Sequence, residues 1–257
     1  MKSYWSLGHR LPQFLSKYLF GDRRQFGHEI NVEDSDWVAW QSFYMNFYQN
    51  TQKQGVGKTI NNAGYRILSK VDFTGKKVME LGPGILPHMS FWKGSPLHYS
   101  LVDNLQMLLD QSARILESEE VEFSCNLTDS HQLPFEDGEF DIIVTFYALE
   151  HLYPLDLYLQ EFKRVLKPGG IFVGAIPTEG GIAWGLGRFF TSRRFIKKNT
   201  SINPDKIICW EHQNFAEEVL SKLDQYFNSV REKYYPLSVP LIDINLIVSF
   251  IYQRGNN

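Results

Sequence analysis

The run Glu80-Leu81-Gly82-Pro83-Gly84 and the acid Asp103 carry the first chemistry in this chain. Glycines at the end of an apolar segment let the backbone turn tightly and come close to a bound nucleoside. Asp103 closes the next apolar run, 19 residues after Gly84. A carboxylate there accepts both hydroxyls of an unphosphorylated ribose. Asp is also favoured at a helix N-cap, and the two roles are compatible. Histidine is the side chain suited to moving a proton near neutral pH. His151, just past a later apolar run, is the first candidate general base. His212, in Trp210-Glu211-His212-Gln213-Asn214, is the second, ahead of His88 and His131.

These residues must be held by βα units. Short apolar runs at 77–81, 97–102, 121–125, 140–145 and 171–176 alternate with helical patterns at 104–117 and 154–166. That alternation predicts a doubly wound α/β fold with a mostly parallel sheet, its strands ending where Gly82, Asp103 and the segment before His151 lie. Lys167-Pro168-Gly169-Gly170 stops the second helix. Beyond Pro177 the pattern relaxes, and residues 178–212 read as a lid-like insertion. A helix at 216–223 and strands near 229–235 and 244–252 follow.

Asp129-Ser130-His131-Gln132-Leu133-Pro134-Phe135 leads into Glu136-Asp137-Gly138-Glu139-Phe140-Asp141 and the fourth apolar run. With Glu150-His151 and Arg164-Val165-Leu166-Lys167-Pro168-Gly169-Gly170, the stretch 76–177 resembles the small-molecule group of class I S-adenosylmethionine-dependent methyltransferases. The resemblance implies a seven-stranded Rossmann-like sheet and S-adenosyl-L-methionine as cofactor. It implies that Asp129 and Ser130 meet the adenine, and that Asp103 holds the ribose with Asn104 beside it. Glu80, Gly82, Pro83 and Gly84 would hold the methionine end and sugar, and Phe146 and Tyr147 would lie near the reactive methyl. One departure stands out. The family usually continues Gly-x-Gly-x-Gly, whereas Ile85, Leu86 and Pro87 follow Gly84 here, and only 12 residues separate the glycines from the second strand. The first helix must therefore be short.

A net charge of -3 excludes a generally basic nucleic-acid coat. Methylation of a nucleobase amino group calls for Asn/Asp-Pro-Pro-aromatic after the fourth strand, where this chain has Thr145-Phe146-Tyr147-Ala148. A dinucleotide-binding Gly-x-Gly-x-x-Gly would place its third glycine on Pro87. Gly55-Val56-Gly57-Lys58-Thr59 imitates a phosphate-binding loop, but that motif's first glycine would fall on Gln52, and the stretch reads as a plain loop. Cys125 and Cys209 make no disulfide framework, no cluster has zinc-ligand spacing, and no apolar run spans a bilayer. No metal and a cytoplasmic setting are the expectations.

Arg188, Arg193, Arg194, Lys197 and Lys198, interleaved with Phe189, Phe190 and Phe195, suit a solvated lid face, an anionic acceptor or a lipid headgroup surface. Leu7, Leu11, Phe14, Leu15, Tyr18 and Leu19 share one helical face, for which packing on the protein's own body is favoured over peripheral membrane contact. Trp37, Trp40, Phe43, Tyr44, Phe47 and Tyr48 recur at helical spacing. Residues 1–70 are thus expected to form a helical aromatic cap over a cofactor domain at 71–257. The expected activity is methylation of a small molecule, at an oxygen, on a glycan, lipid-linked or other anionic precursor, with nucleic acid disfavoured as acceptor. The alternative is a non-catalytic, cofactor-binding scaffold that partners another protein.

Overall fold

The computed structural model describes residues 3–47 and 55–256. Seven strands form one sheet: β1 Lys77–Leu81, β2 His98–Asp103, β3 Phe123–Leu127, β4 Phe140–Phe146, β5 Leu166–Pro177, β6 Asn228–Tyr235 and β7 Ile247–Gln253. Their order is β3-β2-β1-β4-β5-β7-β6. The first five run parallel, and β7 lies antiparallel between β5 and β6. Strands covered on both faces become near-continuous apolar runs, as in β1 and β4, where all but Lys77 and Asp141 are buried. The strand order reverses between β1 and β4, which opens a crevice at their carboxyl ends.

Amphipathic helices cover the two faces. Leu155, Leu159 and Phe162 of α6 (Leu155–Val165), with Val219, Leu220 and Leu223 of α10 (Ala216–Tyr226), pack around Phe172 and Phe250. Their three- and four-residue spacing puts each set on one helical face. On the other side, Leu109 and Leu116 of α5 (Gln106–Ser118) and Tyr65 of α4 (Gly55–Tyr65) join Tyr99, Leu101 and Val144. Between β1 and β2 there is only the 3-10 turn Met89–Phe91, in line with the short spacing there.

Two local expectations are corrected. Residues 55–59 open α4 instead of forming a loop. Contacts of this helix with the strand ends, such as Tyr147 Oη donating to the Asn61 carbonyl at 2.9 Å, outweigh the cost of its glycines. Lys167-Pro168-Gly169-Gly170 lies within β5, as an irregularity where pairing with β4 jumps from Phe140–Leu166 to Ile142–Ile171. Gly169, at φ +76°, supplies the left-handed step this excursion needs.

The N-terminal helices are α1 Gln13–Phe20, α2 Arg23–Phe26 and α3 Ser35–Phe47. Those of the insertion are α7 Ile182–Phe190, α8 Ser192–Asn199 and α9 Pro204–Glu211. Trp37 and Trp40 of α3 form a third core with Ile196, Ile207 and Trp210. The Trp37 and Trp210 rings meet edge to face at 6.1 Å, and Lys206 bridges Asp34 at 2.7 Å and Asp36 at 2.8 Å. Trp37, Trp40, Phe43 and Tyr44 of the aromatic stripe therefore pack on the insertion, and the Phe47 side chain lies outside what is described. Tyr48, its last member, lies outside the described residues. Of the stripe expected to pack on the protein's own body, Leu11 and Leu19 are half-buried, whereas Leu7, Phe14, Leu15 and Tyr18 stay exposed; Phe20 is the buried residue of α1. Leu7 precedes the helix. Among the described residues, no helix is long and apolar enough to cross a membrane.

Candidate cofactor and acceptor site

The loop after β1 is built on left-handed backbone, with φ +71° at Gly82 and +58° at Gly84. A Cβ on Gly82 would lie 3.1 Å from Cβ of Ala148, so this loop abuts the segment that follows β4. Pro83 closes a short turn through its carbonyl to the Leu86 N–H at 2.9 Å, and Ser112 of α5 donates to the Gly84 carbonyl at 3.0 Å. Glu80 is fully buried. Its Oε1 accepts from His88 Nε2 at 2.6 Å, and its Oε2 from Tyr99 Oη at 2.7 Å. Trp92 Nε1 donates to His88 Nδ1 at 3.1 Å, which assigns the proton of that ring to Nε2. Both Glu80 oxygens are thus taken by protein donors. The carboxylate braces the loop from inside the core, directly beneath the glycines.

Asp103 ends β2 almost wholly buried, with its Oδ1 accepting the Leu105 N–H at 2.9 Å. Burial pushes its pKa up to about 6, against the lowering pull of the Leu105 and Asn104 amides. Asn104 is exposed beside it. The Asp103 carbonyl accepts the Thr128 N–H at 3.0 Å, which draws the segment carrying Asp129 and Ser130 to the end of β2. Both of those side chains are exposed. The Ser130 N–H, implied to meet a ring nitrogen, here donates to Thr128 Oγ1 at 3.0 Å.

Phe146 ends β4 buried among aromatic rings, 5.1 Å from Tyr65 and 5.2 Å from His88. Tyr147 follows at φ +57°, its hydroxyl against α4. α4 therefore covers the strand end, with Phe146 beneath it.

The turn Leu149–His151 comes next, and the structure brings its histidine to the second candidate. The His151 and His212 rings lie 4.9 Å apart, although 61 residues separate them in the chain. His151 Nδ1 bonds the Glu211 carbonyl, which requires a proton on Nδ1 and leaves the Nε2 lone pair free. Glu150 Oε1 lies 3.8 Å from that Nε2. Glu150 is buried, its Oε2 has no hydrogen-bond partner among the described residues, and burial raises its pKa to about 7. His212 is held neutral, its pKa lowered to about 3 by burial and by Arg188. Its Nδ1 sits 3.2 Å from Glu179 Oε2. Glu179 is fully buried. Burial works against its charge, but Arg188 and His212 outweigh that and hold the carboxyl well below the usual range.

Sequence reasoning missed Glu150, Glu179 and Arg188 as members of this cluster. The only signals were an acid next to His151 and an acid and an arginine nine residues apart across a glycine pair.

The crevice thus presents two left-handed glycines, a buried carboxylate at the end of β2 and an exposed acid beyond β3. This set fits a nucleoside with free ribose hydroxyls, such as S-adenosylmethionine carries. A methyltransferase-domain family model matches residues 80–174. Over 117 residues the chain is 31% identical to a probable phthiotriol/phenolphthiotriol dimycocerosates methyltransferase 2 of Mycobacterium ulcerans, covering 44% of each. Over 116 residues it is 32% identical to the ubiquinone/menaquinone biosynthesis C-methyltransferase UbiE of Laribacter hongkongensis, again covering 44% of each. The chain therefore spans less than half the length of these curated relatives. The crystal structure of a SAM-dependent methyltransferase from Aquifex aeolicus shares the fold, with a TM-score of 0.53 at 12% identity, covering 81% of this chain and 98% of that one. In its strand order, its glycine loop and its match over residues 80–174, the chain is similar to the class I S-adenosylmethionine-dependent methyltransferases.

Proposed function

We propose that this protein transfers a methyl group from S-adenosylmethionine to a hydroxyl of a small molecule. The observation that carries the reading is the contact of Gly82 with Ala148, which sets the glycine loop against the turn bearing Glu150 and His151. Bound S-adenosylmethionine supplies an electrophilic methyl on a cationic sulfur. In this reading Asp103 accepts the ribose hydroxyls with Asn104 alongside, and Asp129 and Ser130 receive the adenine. Gly82, Pro83 and Gly84 let the backbone approach the sugar and the methionine end. His151 Nε2 takes the proton of the acceptor hydroxyl, and the Glu150 carboxylate, 3.8 Å away, stabilises the resulting imidazolium. Positioning and exclusion of water do the rest, because charge is dispersed as the sulfonium gives up its methyl.

The relatives named for a phthiotriol dimycocerosate and for quinone biosynthesis support a small-molecule acceptor, and the latter's C-methyltransferase name keeps a carbon acceptor as the competing case. A cytoplasmic setting agrees with Cys125 and Cys209 both being free thiols. Calorimetry with S-adenosylmethionine, followed by transfer assays on hydroxylated acceptors, tests the proposal. Binding that weakens on Asp103→Ala, with turnover that falls on His151→Ala, is the expected result. No binding at millimolar ligand overturns it, and binding without turnover favours the scaffold.

A further inference from the structure

α1, α7 and α8 turn an apolar and basic surface outward. α1 lies against α7 at Gly185, where an added Cβ would meet Phe20 at 2.8 Å and Leu19 at 2.9 Å. Tyr18 sits over Arg193 of α8, with the guanidinium carbon 5.9 Å from the ring centre. The three helices therefore present adjoining outer faces. On α1 that face carries Phe14, 65% exposed, with Leu15 and Tyr18; on α7 it carries Leu186 and Phe190, the latter 62% exposed. Phe14 and Tyr18, like Leu186 and Phe190, are four residues apart and share one side of their helix. Large aromatic rings at such exposure on neighbouring helices mark a contact surface.

Charge selects the occupant. No acid occurs between Glu179 and Asp205. Arg188 is spent on Glu179 and Arg193 on Asp205, but Arg194, Lys197 and Lys198 are exposed and carry no ion pair among the described residues. Lys17 and Arg24 add positive charge on the N-terminal side, and Arg24 only donates to Gln13 Oε1. Asp22, in the same segment, accepts from the Gln25 N–H and from Gln13 Nε2 and forms no ion pair among the described residues.

We propose that this face docks on an anionic lipid bilayer, with Phe14, Leu186 and Phe190 entering the headgroup–acyl boundary and Arg194, Lys197 and Lys198 meeting the lipid phosphates. Rings and cations displayed side by side match a membrane interface. A purely polyanionic partner such as nucleic acid has no use for exposed aliphatic Leu186. The opposite side of α7 carries Arg188, which reaches Glu179 beside His212, so the docking face lies one helix thickness from the proposed acceptor site. The inference goes beyond the methyl-transfer reading and does not depend on it, since membrane binding is measured without cofactor.

The test is co-sedimentation of the full chain with vesicles of phosphatidylglycerol and phosphatidylcholine in equal parts, against pure phosphatidylcholine. Expected is binding to the anionic vesicles only. Lys197→Glu with Lys198→Glu weakens it roughly 30-fold or more, at about 1 kcal/mol per cation lost. Phe14→Ser with Phe190→Ser weakens it roughly 10-fold or more through lost apolar burial. All four positions are exposed, and unchanged thermal melts confirm that each variant is folded. No binding to anionic vesicles overturns the proposal. So does binding that the phenylalanine variant leaves intact while duplex DNA competes it away, which marks a mere polyanion contact.

Discussion

Arg188, from the insertion, forms a buried ion pair with Glu179 just past the end of β5, with Nη1 2.9 Å from Oε1. Trp184 Nε1 donates to the same carboxylate at 3.0 Å, so α7 is tied to the sheet through one acid. Removing the arginine strands a charge in the interior. Arg188→Met should cost about 3–5 kcal/mol of stability, read from denaturant unfolding. Adding Glu179→Gln should restore a large part of it. A loss under about 1 kcal/mol, ordinary for a surface pair, would show that the pair is not what holds the insertion down.

Gly82 has a left-handed backbone that disfavours any side chain, and an added Cβ would crowd Ala148 at 3.1 Å. Gly82→Ala forces a left-handed alanine, a strain of about 1–2 kcal/mol, and pushes a methyl against Ala148. The melting temperature should fall modestly. Affinity for S-adenosylmethionine should fall further than that strain alone explains, because the loop must shift. Calorimetry showing wild-type affinity would refute the role of this loop.

Glu150 makes stability depend on pH with a defined sign. Its folded pKa, about 7, stands above the ordinary value of 4.5 because burial opposes its charge. The stabilisation is fully present below the unfolded value and is lost as pH rises through about 7. Glu150→Gln removes that dependence. Relative to wild type, the variant's melting temperature should therefore improve from pH 5 to pH 8. A constant difference across that window would mean that Glu150 does not titrate there.

Asp103 gives a separate pH signature in ligand binding. Hydroxyl donors favour the carboxylate over the carboxylic acid, so a ribose at this site lowers the pKa from about 6. Cofactor binding near pH 6 should then release protons, seen as a binding enthalpy that changes with the ionisation enthalpy of the buffer. At pH 8, where the group is already charged, the effect should vanish. Asp103→Asn should abolish it at pH 6, and release that persists in this variant would assign it elsewhere.

Much of this architecture is readable from local pattern. β1 and β4 are apolar runs because they are covered on both faces, and Gly82 and Asp103 mark where the chain must turn at a strand end. What local pattern hides is pairing at a distance. His212 joins His151 only because α9 packs back over the turn after β4, and Glu150 becomes a neutral-range titrating group only through burial. α4 hides for a related reason, since its glycines argue for a loop until Asn61 and Gly64 are seen pressed against Tyr147. The exposed face of α1 carries the same hydrophobic periodicity as a buried one, and periodicity alone does not say which side meets solvent.

Among the described strands β7 comes last in chain order, yet it lies between β5 and β6. During synthesis β5 must wait with a bare edge, its row of amides and carbonyls unanswered, until residues 247–253 leave the ribosome. The preceding strand, β6, has no place in the sheet before then. The nascent protein thus passes through an interval in which its cofactor crevice is assembled while its most adhesive edge is open. In that interval, recruitment of a chaperone, or pairing with a strand from another nascent copy, competes with completion of the sheet.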